Sequence, residues 1–240
     1  MKQGAIKGHK TAFTLTTVAG FLLIVAILFT ALQFSINDRS WFEQEYRALD
    51  LESSIGLSTS DITDALMRLV DYMEGRTGSI QLVVRENGLY VNMYNEREIA
   101  HMEDVRLLYQ AWRSVRTWGL VLAVVLIFAA FLLDRKELWF NVSRGFLRAS
   151  VLFLALVAVL GVLAAVDFTA FWNGFHYLFF DNDLWLLSPA RDRMIRICPE
   201  QLFSDLIVRT FSTFILAFAV LMAASSSIYF VHKTRHAYEH

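Results

Sequence analysis

Four long, mainly apolar stretches dominate the chain, near Ala12–Phe34, Thr117–Leu133, Leu147–Val166 and Leu206–Val231. Each approaches or exceeds the roughly 20 residues that a helix needs to cross about 30 Å of hydrocarbon. The first is read as a retained span, since its apolar run is too long for a signal-peptide core and no small-x-small site closes it. Between the first two spans the pattern changes. Trp41, Phe42 and Tyr46 recur at helical spacing, as in an interfacial helix. Ser60 and Asp61 offer N-caps to a helix carrying Ile62, Leu66, Leu69, Val70 and Met73, which Gly75 ends. Ile80–Val84 and Leu89–Tyr94 read as a hairpin turning through Arg85-Glu86-Asn87-Gly88. From Glu96, the positions Ile99, Met102, Val105, Leu108, Tyr109 and Trp112 keep helical period, and nothing interrupts them before the second span. One helix is therefore expected to continue from this region into the bilayer.

The expected class is an α-helical integral membrane protein with four transmembrane helices and a small α+β cap. The segments are 1–11, span 12–34, cap 35–116, span 117–133, loop 134–146, span 147–166, aromatic loop 167–205, span 206–231 and tail 232–240. The cap is too short to be read as an independent domain and is expected to lean on the bilayer or the spans. Composition agrees with a membrane protein, at 56% hydrophobic and 19% charged residues. All five lysines lie in 1–11, 134–146 and 232–240; with Arg148 at the start of the third span, that side carries +6 and the cap and aromatic loop −7, Arg209 included. Short cytoplasmic segments collect Lys and Arg, so both termini are expected in the cytoplasm and both larger polar segments outside. A net charge of −1, with arginines scattered among acids, argues against nucleic acid. Cys198 is the sole cysteine and excludes an intramolecular disulfide.

The aromatic loop crowds Phe171, Trp172, Phe175, Tyr177, Phe179, Phe180 and Trp185 with Asn173, His176, Asp181, Asn182 and Asp183. A headgroup-level aromatic belt accounts for most of these rings but not for Asp181-Asn182-Asp183. Pro189 and Pro199 bracket a polar stretch that reads as a short re-entrant or surface loop. Of six histidines, His9, His232, His236 and His240 fall in the tails, which leaves His101 and His176 as the outer pair. An imidazole exchanges protons near neutral pH, so the pair is a general acid/base candidate. The alternative for each is a satisfied buried ring. Glu98 and Asp104 lie one turn from His101, where a carboxylate can orient the ring or raise its pKa, or form an ordinary surface pair. Asp181 and Asp183 are either ring-orienting or substrate-binding groups, or solvated interface residues. No G-x-S-x-G elbow, H-E-x-x-H or paired-Cys pattern occurs, so neither a serine nucleophile nor a metal is assigned.

Two segments become informative together: NEREIAHMEDV at Asn95–Val105 and FHYLFFDNDLWLLSP at Phe175–Pro189. They resemble the signature regions of the bacterial lipoprotein intramolecular transacylases, called Lit. The four-span layout and outer cap share in the resemblance. It implies transfer of the sn-2 acyl chain of a diacylglyceryl-cysteine to the cysteine α-amine, giving a lyso-form lipoprotein without a cofactor. The implied partners are diacylglyceryl lipoproteins and the lipid bilayer, in a bacterial plasma membrane with the active site outside. It also implies that His101 and His176 are the catalytic pair. Around them Glu98, Asp104, Asp181, Asn182 and Asp183 would support, and Trp172, Phe175, Phe179, Phe180 and Trp185 would line one shared cavity. A membrane lipid-ester hydrolase using the same histidines and a non-enzymatic accessory protein with a binding cap are the other readings.

Overall fold

The computed structural model describes residues 2–86 and 88–238. The described chain is mostly helical, with α1 Lys2–Ile36, α2 Arg39–Ala48, α3 Leu51–Ile55, α4 Thr59–Glu74, α5 Glu96–Leu133, α6 Leu138–Val166, α7 Phe168–Phe179, α8 Met194–Ile197 and α9 Glu200–Tyr238. One two-stranded antiparallel sheet, β1 Val83–Glu86 with β2 Leu89–Asn92, lies between α4 and α5. Among the described residues, α1, α5, α6 and α9 are long and apolar enough to cross a membrane. The 38 residues of α5 extend about 57 Å at ~1.5 Å per residue, nearly twice the hydrocarbon thickness. Its charged first part, where His101 lies, is therefore outside the apolar stretch 117–133.

The chain divides into two compact units. The first takes the residues up to Ala31, Arg113–Val162 and those from Thr210 on. Its core joins Ile24, Phe146, Ala149, Phe153, Phe214 and Phe218. Small residues let α1 and α6 approach backbone to backbone, as bundles in lipid require. A Cβ added at Gly145 would stand 2.5 Å from Thr16 Oγ1 and 2.6 Å from the Thr16 carbonyl carbon, while the Thr16 hydroxyl donates to the Asn141 carbonyl at 2.8 Å. Gly145→Ala is expected to force the helices apart at a cost of about 1–3 kcal/mol. The check is a lower thermal midpoint in detergent, with Gly161→Ala unchanged because nothing lies within 4 Å of that position.

The second unit takes Leu32–Trp112 and Leu163–Arg209 and has a core of its own. The sequence-based interfacial reading of α2 is revised here, because Phe42 and Tyr46 are buried against Ile62, Leu66 and Leu69 of α4 and Tyr94 after β2. A short amphipathic helix buries its apolar face on protein when protein is available, and nothing in its own pattern distinguishes that from lipid. Ser58, rather than Ser60 or Asp61, caps α4: its hydroxyl accepts from Asp61 N at 3.1 Å, and the helix starts at Thr59, just ahead of the expected caps. Gly75 ends α4 at φ +79°. The hairpin forms with Glu86 opposite Leu89 and Gly88 at φ +86°. Arg85 and Glu86, expected in the turn, complete β1, and Asn87 lies outside the described residues. One unbroken helix does run from Glu96 through the second apolar stretch.

Candidate active site

Both candidate histidines belong to the second unit, one near the start of α5 and the other on α7. The beginning of α5 is held by a capping box at Asn95-x-x-Glu98. Asn95 Oδ1 accepts from Glu98 N at 3.1 Å, and Glu98 Oε2 accepts from Asn95 N at 2.7 Å. The other Glu98 oxygen accepts from Met194 N at 2.5 Å, and the carboxylate is 1% exposed. Burial pushes this carboxyl above its ordinary range, opposed by bonds from the backbone N–H groups of Asn95 and Met194. Asp192, fully buried, extends the clamp: it accepts from Ser188 N at 2.7 Å, Asn95 Nδ2 at 2.8 Å and the Arg191 guanidinium at 3.0 Å. The Arg191 bond, ahead of the backbone and Asn95 bonds, holds its carboxyl down at about 2. One polar knot thus fixes the α5 start to the 188–194 loop.

Glu98 is thereby committed to main-chain donors rather than to the His101 ring. Glu98→Ala is expected to destabilise the unit by about 3 kcal/mol, because two buried N–H groups lose their acceptor. Thermal unfolding measures this, and Glu98→Gln, which keeps one acceptor oxygen, is expected to lose less.

On α7, Asp167 caps the helix by accepting from Ala170 N at 2.9 Å, and the chain becomes extended at Phe180. His176 Nδ1 lies 2.8 Å from the Trp172 carbonyl one turn earlier. A carbonyl can only accept, so Nδ1 carries the proton and the neutral ring leaves its lone pair on Nε2. Trp185 stacks on the ring at 4.8 Å, with Trp172 edge-on at 4.8 Å and Phe175 edge-on at 5.5 Å. This setting is apolar, and burial lowers the His176 pKa.

His101 and His176 face each other with ring centroids 6.2 Å apart, and Phe180 is 5.4 Å from the first and 5.6 Å from the second. His101 Nδ1 is buried without a hydrogen-bond partner. An orphaned buried N–H is disfavoured more than an orphaned lone pair, so the favoured tautomer carries its proton on Nε2. Burial first, then the charge of His176, lowers the His101 pKa to about 4, against the opposing pull of Asp104. At neutral pH the site holds two uncharged imidazoles, one presenting a lone pair and the other an N–H.

The other sequence candidates separate. Asp104 lies close enough to act electrostatically on His101, but its carboxylate accepts from Asn182 Nδ2 at 2.9 Å, tying α5 to the 181–185 loop. Asp181 and Asp183 expose their side chains, and it is the Asp183 main-chain carbonyl that bonds Arg97. Phe179 touches Phe175 at 4.9 Å and is 45% exposed. Trp172, Phe175, Phe180 and Trp185 surround the imidazoles directly. Asn95, Asp192 and Arg97 escaped sequence reasoning as site residues; Asn95-x-x-Glu98 was a legible capping signal, while Asp192 had none. Cys198 is no nucleophile, since burial pushes its thiol up to about 12. Among the described residues no three His, Cys, Asp or Glu side chains gather as a metal site would need.

The family model described as "Lipoprotein intramolecular transacylase Lit" matches residues 17–203. A solved Bacillus cereus structure, described as the membrane integral lipoprotein intramolecular transacylase Lit, superposes with TM-score 0.73 at 18% identity, over 92% of this chain and 96% of that one. A variant of the same protein with a histidine replaced by arginine gives TM-score 0.69 at 18% identity, over 97% and 96%. One with the histidine replaced by alanine gives 0.69 at 18%, over 96% and 98%. At that identity the likeness is one of fold. No curated protein sequence matches the chain.

Proposed function

The chain belongs to the lipoprotein intramolecular transacylase family, and from that premise we propose that it moves the sn-2 acyl chain of a diacylglyceryl-cysteine onto the α-amine of the same cysteine. The observation that carries this reading is the facing of two neutral imidazoles 75 residues apart in sequence, with ring centroids 6.2 Å apart.

Attack of the amine on the ester carbon closes an eight-membered ring through nitrogen, two cysteine carbons, sulfur, two glyceryl carbons, the ester oxygen and the carbonyl carbon. Such closure is entropically unfavourable, so a rigid aromatic pocket that holds a near-attack shape supplies much of the acceleration. His176 Nε2 takes a proton from the attacking amine as the N–C bond forms. His101 Nε2–H donates to the oxyanion and keeps its proton, a role that a low pKa suits because the ring must stay neutral to act without changing charge. The C–O bond to glycerol then breaks, and His176 returns the proton to the departing oxygen. One N–C bond has replaced one C–O bond, the proton has moved from nitrogen to glyceryl oxygen, and no cofactor enters the balance. The distribution of lysines supports an outward-facing site with both termini in the cytoplasm, and the family supports a bacterial plasma membrane.

The test is purified protein with a synthetic diacylglyceryl lipopeptide and no acyl donor. The intact mass is expected to stay constant while fragmentation shows an N-acylated cysteine and one glyceryl ester. Acylation only when phospholipid is supplied overturns the intramolecular route, and loss of acyl mass with release of fatty acid establishes the hydrolase. No change in the lipopeptide under conditions where the protein binds it supports the accessory reading.

A further inference from the structure

We propose that Arg97 is a further catalytic residue, whose guanidinium faces the ester carbonyl oxygen and stabilises the negative charge that develops on it. The proposal rests on the transacylase reading above. Buried or half-buried arginines ordinarily find a carboxylate. Arg97 is half-buried, its Nε is buried with no hydrogen-bond partner, and its guanidinium donates to the main-chain carbonyl of Asp183 instead of to an acid.

Its position makes that isolation informative. Arg97 lies one turn before His101 on the same face of α5, and its charge contributes to holding the His101 ring neutral. The bond to Asp183 ties it to the loop whose Trp185 stacks on His176. It therefore links the helix that bears His101 to the loop that packs on His176. Arg97 and Asp104 both act on the His101 ring from the same helix, and the Asp183 carbonyl accepts from the guanidinium. A cation with an unused donor one turn from the neutral His101 ring, bonded to a carbonyl rather than to an acid, finds an anion to meet in the tetrahedral intermediate. The same charge disfavours the ammonium form of the bound substrate, whose α-amine ordinarily titrates near pH 7.7–8.0 and must be neutral to attack.

The experiment compares wild type, Arg97→Met and Arg97→Lys on the diacylglyceryl lipopeptide across pH 5.5–9. Arg97→Met is expected to lower kcat by about 100-fold with KM little changed, and to move the acid limb of kcat upward by about one unit, with Arg97→Lys intermediate in both. A structural role through the Asp183 carbonyl alone would lower the amount of active protein and leave the limb where it is. An unmoved limb, a loss confined to KM, or near-normal kcat in Arg97→Met each overturns the proposal. If wild type itself forms no N-acylated product, the transacylase reading fails instead.

Discussion

Replacing His176 with asparagine is expected to lower kcat by about 1,000-fold while leaving a folded protein, within the range typical for loss of a positioned general base. An asparagine amide reaches the place of Nδ1 and can still donate to the Trp172 carbonyl, so the last turns of α7 keep their hydrogen bond. Nothing then occupies the place of Nε2, where the proton must be received and returned. Glutamine reaches further but has no group that cycles a proton near neutral pH, so His176→Gln is expected to be equally inactive. Steady-state turnover of the lipopeptide, with thermal unfolding as the control for folding, measures both. Turnover within a few-fold of wild type in either variant would remove His176 as the base and move attention to a carboxylate such as Asp104 or Asp183.

The second large effect is expected at His101 and has a different signature. His101→Asn is expected to cost about 100-fold or more in kcat, as loss of one oxyanion donor does. His101→Gln, whose amide nitrogen lies near the place of Nε2, is expected to recover part of that loss, because a donor and not a proton shuttle is required there. Asymmetry between the two histidines under glutamine substitution is therefore the test of their assigned roles, and equal loss at both positions would overturn the assignment.

His101 also predicts a pH dependence of stability. Its pKa falls from the ordinary 6.5 to about 4, chiefly through burial, so the unfolded chain binds the proton more readily than the folded one. The contribution is complete above pH 6.5 and is lost as the pH falls through about 4, a span worth about 3 kcal/mol. His176 is shifted in the same direction and adds to the same loss. The thermal midpoint in detergent is expected to drop across this window in wild type and to drop less in His101→Asn. Resonances of the His101 ring should titrate near pH 4 rather than 6.5.

Local order in this protein was largely legible from the chain. The four apolar stretches, the stop at Gly75, the hairpin with Gly88 in its turn and the continuity of α5 from Glu96 each rest on interactions within a few residues or on partition of side chains out of water, and both kinds of information are written in the local pattern. Elimination among the six histidines also singled out His101 and His176 as candidates, because the other four fall in the terminal tails. Tertiary structure alone decided what each polar group meets. Glu98 has His101 within one turn and yet binds Met194 N, 96 residues away; Phe42 and Tyr46 meet α4 instead of lipid. His176 donates to a carbonyl that any helix would offer, whereas its ring's approach to within 6.2 Å of His101, whose buried Nδ1 has no partner, exists only in the folded unit. Helix periodicity specifies a face, whereas hydrogen-bond partners and pKa shifts depend on which distant groups share that face and on how completely they exclude water. Those are properties of contacts between α5, α7 and the 181–194 loop, and no local spacing encodes them.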